Sequence, residues 1–488
     1  MNWLIVSYVL RLDGVERRHV ESASFVFVGL VVAFALIRRP SAPSARPTPG
    51  RLPIWLVLPA CLLASIATFF SAISLGLLSD DFVLLSRASS GDVFNGGWEF
   101  WRPVPLTLWW VLSRLVDGRE LPIALHLVNI SLHGFNAWLV FLCAMRAGVP
   151  RLQSCLAAAM FIVFPASVEP VAWLAGVFDL LLCAWVLLGF LVVTATNPTR
   201  SPAVTLTILT LLALGTKETA IAVPFLWAAA AVAAGLFRES LDRRRWEVIA
   251  PVTAVIAYVS ARLVTGVSSS SYPPLTGFRA KELLSRPFAA LFMPFHEALP
   301  RGFSWAIAFS AAAVPTVFML SAVDWNSNPK RVKTIIGLLA FILISVAPIF
   351  TVFFIGPDLQ NSRYIQLASA AWVIALAVAG DVSNRYATVF TTAVFVLLIG
   401  VFTITQRHHL WHWQRAAIQR DSLINAAKRL SVGCDGRIAM GQIPDSSNGA
   451  YVLRNGAREA LAAEDIRVVD VSVVIPDCIL RQPSDPEK

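Results

Sequence analysis

The sequence predicts an α-helical polytopic membrane protein with about eleven spans, possibly twelve, and a small C-terminal α/β domain. Of its 488 residues, 57% are hydrophobic and only 14% are charged, and the mean hydropathy is +0.67. Apolar runs of about 20 residues recur along the chain, and each is long enough to cross a bilayer. Sixteen Trp residues suit anchoring at the headgroups. The net charge of +10 does not indicate nucleic acid binding, because the Arg and Lys residues lie in short loops between apolar runs.

The chain divides into three parts. Residues 1–52 are an N-terminal segment, in which residues 22–37 form an uncleaved anchor or a short extra span, because two Arg residues follow where signal cleavage needs small residues. Residues 53–405 form the transmembrane domain, and residues 406–488 form a small domain, here called the C-terminal tail. The predicted spans are residues 53–78, 122–145, 152–168, 174–196, 203–216, 219–237, 246–266, 303–323, 334–355, 364–380 and 386–405.

Lys and Arg residues are distributed unequally between the two sets of loops that connect these spans. One set, which runs from loop 38–52 to loop 381–385, holds 15 Lys and Arg in 50 residues, and the opposite set holds 11 in 98. The denser set is predicted to be cytoplasmic. The tail is then extracytoplasmic, and the protein is predicted to lie in the inner (cytoplasmic) membrane.

The first outer loop, residues 79–121, contains an apolar segment at residues 103–116. This segment is too short and too interrupted to span the membrane, so we expect a helix that lies in the outer interface or re-enters the bilayer. A second segment of this kind is predicted at residues 288–299.

The C-terminal tail has the pattern of a small α/β unit. Residues 414–430 have helical composition, while residues 437–443 and 466–475 favour strands. Turn signals at Ser447–Gly449 and Asn455–Gly456 precede a short predicted helix.

Two of the six cysteines, Cys434 and Cys478, lie in the tail. They could form a disulfide if the tail is in an oxidising compartment. The other four lie within apolar runs, where packing is the expected role.

Ionisable residues concentrate at the outer ends of the predicted spans. A charge in hydrocarbon is unfavourable by at least ~2.5 kcal/mol, so these groups need partners or a water-filled cavity. Their convergence indicates a site that opens to the outside at headgroup depth, although outer loops also carry charges with no such role. The set is Asp80, Asp81, Glu99, Arg102, Glu169, Asp179, Lys217, Glu218, Arg262 and Arg363.

The motif SDDF at residues 79–82 directly follows the first long span. Two adjacent carboxylates repel each other, so Asp80 or Asp81 can hold a raised pKa and accept a proton near neutral pH. Alternatively, Ser79 or Asp80 caps an interfacial helix.

The span that contains HLVNISLHGFN carries one polar face. His126, Asn129, His133 and Asn136 follow one another at intervals of three or four residues, so they share a face within an apolar helix. Such a face should point into the bundle, either toward a substrate or toward other helices through hydrogen bonds. A zinc site that uses both His residues is not expected, because they are about 10 Å apart along the helix axis.

Three cations lie at predicted headgroup depth. Arg102 precedes the interfacial segment, Lys217 lies in an outer turn and Arg363 opens a span. Together they could bind a lipid phosphate, although each could also extend singly toward the interface.

His408 and His412 could bind a metal ion, since they stand four residues apart in HHLWHW. Only two ligands are visible, and Trp411 and Trp413 favour the start of an interfacial helix instead. No metal site or cofactor is therefore assigned.

The motifs, in this order, resemble the GT-C superfamily of membrane glycosyltransferases. The closest likeness is to protein O-mannosyltransferases, including the transmembrane-and-tetratricopeptide type, and to bacterial relatives of the lipid A aminoarabinose transferase. The likeness covers about residues 53–380, without the tail. It rests on SDDF, WRP at 101–103, HLVNISLH, FPASVEPVAWLAGVFDLL at 164–181, TKETAIAVP and SRYIQL.

The resemblance implies a GT-C-like transmembrane domain that transfers a sugar from a polyprenyl-phosphate donor to a hydroxyl of a lipid, glycan or protein acceptor outside the membrane. It implies Asp80 or Asp81 as the base. The implied phosphate ligands are Arg102, Lys217 and Arg363, and the implied substrate-binding residues are His126, Asn129, His133, Glu169, Asp179, Glu218 and Tyr364.

Two other functions are compatible with the sequence. A secondary transporter or lipid-linked sugar flippase predicts binding residues near mid-membrane and paired broken helices. A non-catalytic scaffold that displays the tail predicts intact ion pairs and no groove.

Overall fold

The computed structural model of the protein describes most of the chain between residues 54 and 480. The described residues are 54–93, 101–195, 202–235, 245–264, 287–288, 290–300, 303, 329–349, 355–380, 385–434, 436–441, 443–469 and 478–480. The possible short span at 22–37 and nearly all of the predicted span at 303–323 lie outside them.

The described part of the chain is mostly helical. Short 3₁₀ segments connect or extend several helices, among them Phe70–Ser74, Pro165–Ser167, Leu174–Gly176, Glu218–Ala222 and Ser362–Ile365. The helices are α1 (Val57–Phe69), α2 (Asp80–Ser89), α3 (Pro103–Leu115), α4 (Leu121–Arg146), α5 (Arg151–Ile162), α6 (Val168–Ala172), α7 (Val177–Val193), α8 (Pro202–Leu214), α9 (Val223–Ala233), α10 (Arg245–Val264), α11 (Pro329–Val346), α12 (Gln366–Ala379), α13 (Arg385–Val432) and α14 (Ala457–Ala462).

Six helical stretches in the described residues are long and apolar enough to cross a bilayer. Helices α5 and α6, with the 3₁₀ turn between them, add a seventh if they form one span bent by 52°. Helices α8 and α9 are apolar but shorter, and α11 carries three basic residues among its first five. A multi-pass membrane protein follows, while the count of eleven or twelve spans stays a prediction. The six are Val57–Ser74, Leu121–Arg146, Leu174–Val193, Trp246–Val264, Ser362–Ala379 and Thr388–Val432.

Helix α13 differs from the sequence prediction. The expected span at 386–405 and the expected tail helix at 414–430 are parts of one helix of 48 residues, so the predicted helix start near Trp411 is wrong. The reason is that no Pro interrupts this stretch and Gly400 alone is tolerated. At 1.5 Å per residue the helix is roughly 70 Å long, about twice the hydrocarbon thickness.

The second predicted interfacial helix is also shorter than expected. Residues 290–292 are helical, but residues 293–300 are irregular. Pro294 explains the difference, because proline donates no hydrogen bond and disfavours helix in the residue before it.

The packed core has two main parts. One lies between α4, α5, α7, α9, α11 and α12, and it is formed by residues such as Phe161, Val186 and Trp227. The other lies at the opposite end of α4, where the end of α1, the segment 168–181 and the second half of α13 meet residues 450–460 of the tail. The tail is therefore packed against the helical bundle.

The tail contains a small parallel sheet in the order β4–β1–β5, formed by Arg437–Met440 (β1), Arg467–Val469 (β4) and Ile479–Leu480 (β5). A hairpin of Ser446–Ser447 (β2) and Ala450–Tyr451 (β3) precedes α14. Its turn residues Asn448 and Gly449 both have positive φ, at 47° and 78°, which is the conformation that two-residue hairpin turns favour. The rest of the predicted strand 466–475 lies outside the described residues.

The disulfide predicted between Cys434 and Cys478 is confirmed. The two Cα atoms are 5.9 Å apart, and the bond joins the end of α13 to strand β5 across 44 positions of sequence. The bond therefore connects the residues that follow α13 to the residue that precedes β5.

We expect loss of this disulfide to loosen the tail. In the chain-entropy estimate, a loop of this length contributes about 4 kcal/mol to the free energy of unfolding. Cys434→Ser should therefore increase tryptic cleavage after Arg454 and Arg458, which are exposed. Gel analysis of the purified protein measures the rate of this tryptic cleavage. Cys155→Ser, which changes a free cysteine in a span, should leave it unchanged, and equal rates in all three proteins would contradict the expectation.

Candidate functional site

The acidic pair lies in a sharp turn, here called the acidic turn and defined as residues 78–81. Ser79 has φ 51° and ψ −119°, a conformation that non-glycine residues rarely adopt, and α2 begins at the next residue. No side chain caps this helix, so the alternative in which Ser79 or Asp80 is a helix cap is wrong. Such strain persists only where the surrounding structure enforces it.

The two carboxylates of the acidic turn have different environments. Asp81 is fully buried, and its oxygens accept hydrogen bonds from the backbone N–H of Leu78 at 2.8 Å and of Ala175 at 2.9 Å. Burial raises the pKa of Asp81 well above its usual range. Asp80 is half-buried and accepts from the Ser79 hydroxyl at 3.1 Å and from the Asn455 amide at 2.7 Å. Asp80 is thus the carboxylate that a solute can reach.

The acidic turn is held against a broken stretch of helix, residues 162–176, here called the broken segment. Pro165 ends α5, because the residue before it is forced into an extended conformation, at φ −64° and ψ 122°. A second break follows at Trp173, which is also extended. The Trp173 indole N–H donates to the Leu78 carbonyl at 3.2 Å, so the second break contacts the acidic turn directly.

The polar face of α4 supports the broken segment. The Asn129 amide donates to the carbonyls of Trp173 and Leu174 at 3.0 and 3.2 Å, and His133 Nε2 donates to the carbonyl of Ile162 at 3.2 Å. Breaks release carbonyls that have no partner in their own helix, and a bilayer offers no water to satisfy them.

The two remaining residues of this face also bind backbone. His126 Nε2 donates to the Gly76 carbonyl at 3.1 Å, and the Asn136 amide donates to the Leu180 carbonyl at 2.9 Å. These contacts match the helix-to-helix alternative for the polar face. His126, Asn129 and His133 therefore help to hold the bundle together, and their contact with substrate stays a prediction.

Glu169 and Arg363 form a buried ion pair at the centre of the site. Arg363 Nη1 donates to Glu169 and to the Tyr451 hydroxyl at 2.8 Å, and Nη2 donates to the Tyr364 hydroxyl at 3.0 Å. The guanidinium also lies 4.7 Å from the centre of the Trp173 ring. Arg363 is therefore one residue away from the acidic turn, with Trp173 between them.

Lys217 and Asp179 form a second buried ion pair beside the first. The Lys217 ammonium lies 4.2 Å from the centre of the Tyr364 ring, and Arg363 Nε lies 4.0 Å from the other Asp179 oxygen. Burial lowers the pKa of Lys217 to about 8, although Asp179 opposes the shift. Lys217 can therefore exchange a proton in the physiological range.

Arg102 and Glu218 form a third pair closer to the surface. The guanidinium donates from Nη2 at 2.8 Å and from Nε at 3.1 Å, which is the two-point geometry typical of strong Arg–carboxylate contacts. Because Glu218 follows Lys217 in the chain, this third pair neighbours the second.

A pocket lies between these ion pairs and helix α9. Asp179, Arg363, Tyr364 and Thr219 give it a polar end, and the remaining wall is mostly apolar. A pocket with an apolar wall and an Arg side chain at its polar end offers one contact for a phosphate and one for a hydrocarbon chain. The apolar lining is Leu182, Ala222, Val223, Leu226 and Leu367.

The sequence-predicted residues thus fall into two groups. The structure brings the three cations together with their partners, which are Arg102 with Glu218, Lys217 with Asp179, and Arg363 with Glu169 and Tyr364. The polar residues of α4 instead contact the backbone of neighbouring segments. The sequence analysis did not predict Trp173, Tyr451 or Asn455 as site residues. Trp173 lies in one of the motifs above and Asn455 was noted only as a turn residue, while no pattern marked Tyr451.

The histidines of HHLWHW do not gather around a metal position. His412 Nε2 lies 3.3 Å from His408 Nε2, and the His412 ring stacks on His296 with centres 4.3 Å apart. Within the described ranges, no group of three or more His, Cys, Asp or Glu side chains could hold a metal ion.

Part of the chain is similar in sequence to a known transferase. No protein-family model matches the chain. A segment of 153 residues, 31% of the chain, is 38% identical to the protein O-mannosyl-transferase Tmtc1 of Drosophila melanogaster. The chain spans 18% of that relative's length. This homology confirms the resemblance to protein O-mannosyltransferases that the motifs predict.

A solved structure overlaps the chain loosely. The oligosaccharyltransferase of Archaeoglobus fulgidus, crystallised with a tethered acceptor peptide, matches with a TM-score of 0.44 and 9% identity. The match covers 88% of this chain and 64% of the other. An overlap of this quality carries no argument about fold or function.

Proposed function

We propose that the protein transfers a sugar from a polyprenyl-phosphate donor to an acceptor hydroxyl at the extracytoplasmic face of the membrane. The observation that carries this proposal is the pocket whose polar end holds Arg363 and Asp179, because Arg363 contacts Trp173 and Trp173 binds the acidic turn that carries Asp80. The homology to a protein O-mannosyl-transferase supports the reaction class.

In this proposal the pocket receives the phosphate of the donor. The carboxylates of Asp179 and Glu169 hold Lys217 and Arg363 in place before the donor arrives, so little rearrangement is needed. When the donor binds, its phosphate competes with these carboxylates for the same cations. The cations then stabilise the charge that develops on the leaving polyprenyl phosphate.

Asp80 is the base in this proposal. An acceptor hydroxyl is a poor nucleophile until its proton is withdrawn, and a general base must lie within hydrogen-bond reach. Asp81 has the raised pKa, but it is buried and both of its oxygens bind backbone N–H groups. Access by the acceptor therefore decides between Asp80 and Asp81, because a carboxylate cannot act as the base where the acceptor hydroxyl cannot approach it.

The extracytoplasmic assignment has two supports. The first is the unequal Lys and Arg density of the loops. The second is the disulfide between Cys434 and Cys478, since disulfides persist in oxidising compartments and are rare in the cytosol.

We expect single cysteines to label according to this topology. In intact cells, a membrane-impermeant maleimide should label Ala463→Cys in the tail, where residue 463 is exposed, and should not label Asp242→Cys. After the cells are opened, both should label. Labelling at 242 and not at 463 would place the site on the cytoplasmic side and would contradict the proposed orientation.

We expect Asp80→Asn to abolish most transfer. Removing the base should lower kcat by about 10²–10⁴-fold, with unchanged affinity for polyprenyl phosphate. Asp81→Asn should instead lower thermal stability, because its amide cannot accept from both N–H groups as the carboxylate does. Transfer from radiolabelled polyprenyl-phosphate mannose to lipid and peptide acceptors measures the first effect, and full turnover in Asp80→Asn would refute Asp80 as base.

We expect phosphate binding to depend on the protonation of Lys217. Its pKa is lowered to about 8, so the ammonium is charged below this pH and loses its proton above it. The affinity for polyprenyl phosphate in nanodiscs should therefore fall as the pH rises through about 8. Lys217→Arg should remove this fall, because an Arg side chain stays charged to far higher pH.

The control for this titration is Lys428→Arg, which makes the same exchange at a half-exposed side chain of the tail. It should keep the wild-type pH dependence. If Lys217→Arg kept it too, Lys217 would not be the titrating phosphate ligand.

A further inference from the structure

The tail contacts the candidate site at both of its halves. The Asn455 amide donates to Asp80 at 2.7 Å, and the Tyr451 hydroxyl accepts from Arg363 at 2.8 Å. The Tyr451 hydroxyl also lies 3.1 Å from the Asn361 side chain and 3.3 Å from Glu169. A short stretch of the tail therefore reaches the carboxylate and the central cation together.

The backbone of the same stretch holds the acidic turn. The Ser79 N–H, which belongs to the residue with φ 51°, donates to the Val452 carbonyl at 3.1 Å. At Gly456 the approach is so close that a Cβ atom would lie 2.0 Å from the Ser79 carbonyl oxygen, so only glycine fits. The strained turn and the tail are thus fitted to each other.

The hairpin that precedes this stretch is anchored on the other side. Its turn packs on the loop before Arg363, where a Cβ at Gly449 would lie 2.1 Å from the Asp358 carbonyl oxygen. His296 Nε2 donates to the Asn448 carbonyl at 3.1 Å. Residues 448–456 therefore bridge three separate parts of the transmembrane domain.

We propose that tail residues 450–456 form part of the transfer site, in which Asn455 positions the Asp80 carboxylate for proton transfer. This rests on the proposed function. Asp80 accepts one bond from the adjacent Ser79 and one from Asn455, and the second fixes the direction of the carboxylate from outside its own helix. Because a hydrogen bond to a charged group is strong, Asn455 restricts the rotation of the carboxylate and keeps one oxygen directed at the acceptor.

The first test is Asn455→Ala. Loss of one hydrogen bond to a charged group should lower kcat by about 10–100-fold, while the affinity for polyprenyl phosphate stays unchanged, since Asn455 contacts the base and not the cations. Asn425→Ala, the same substitution at an exposed position of α13, is the matched control and should leave kcat unchanged.

Two further variants separate positioning from a merely structural role. Asn455→Asp keeps the size of the side chain but replaces the donor by a charge that repels Asp80, so its kcat should be lower than that of Asn455→Ala. In the Asp80→Asn background, Asn455→Ala should cause no additional loss, because residues that act through one another are not additive. Equal effects of Ala and Asp, or full additivity, would overturn the positioning role.

A measurement that does not depend on sugar transfer tests the contact between Asn455 and Asp80 separately from the proposed function. Carbodiimide-driven amine labelling of Asp80, mapped by mass spectrometry, should be faster in Asn455→Ala than in the wild type or Asn425→Ala. If the wild type transfers no sugar but labelling differs, the proposed function fails and the contact stands. If labelling and kcat are both unchanged in Asn455→Ala, the inference is overturned.

Discussion

The broken segment is the constraint on which the rest of the site depends. A helix that breaks within a membrane leaves carbonyls without partners, and each must be satisfied by protein. Here the Ile162 carbonyl accepts from His133 and the Trp173 carbonyl from Asn129, while His409 and Ser362 lie at hydrogen-bond distance from the carbonyls of Pro165 and Ala166. Polar side chains from α4, α12's leading turn and α13 must therefore converge on this segment, and they fix its position in the bundle.

Charge neutrality is the second constraint. The three cations of the site are each paired with a carboxylate, so the set adds no net charge to a region beside the hydrocarbon. Glu169 lies between the two breaks, and Asp179 lies about one helical turn beyond the end of the broken segment. Its geometry thus determines where Arg363 and Lys217 can be held, and the pocket forms between the two pairs.

The sequence predicted the members of this arrangement better than their roles. The spacing of His126, Asn129 and His133 placed them on one face, because helical periodicity is a local property. Their partners are carbonyls of other helices, which no local pattern reveals. In the same way, SDDF indicated a carboxylate pair, but the burial of Asp81 depends on the Ala175 amide, which the breaks bring from almost a hundred residues away.

The long helix α13 explains how a tail without a family motif comes to complete the site. The helix lies against both the broken segment and the residues just before the acidic turn. His409 contacts the Pro165 carbonyl, and Arg420 Nη1 donates to the Leu75 and Leu77 carbonyls. Beyond Arg420 the helix carries the sheet, and the disulfide at its end fixes β5 to it. The helix that packs on the breaks therefore also fixes the position of the tail relative to Asp80, so a change in helix packing alters the contact between Asp80 and Asn455.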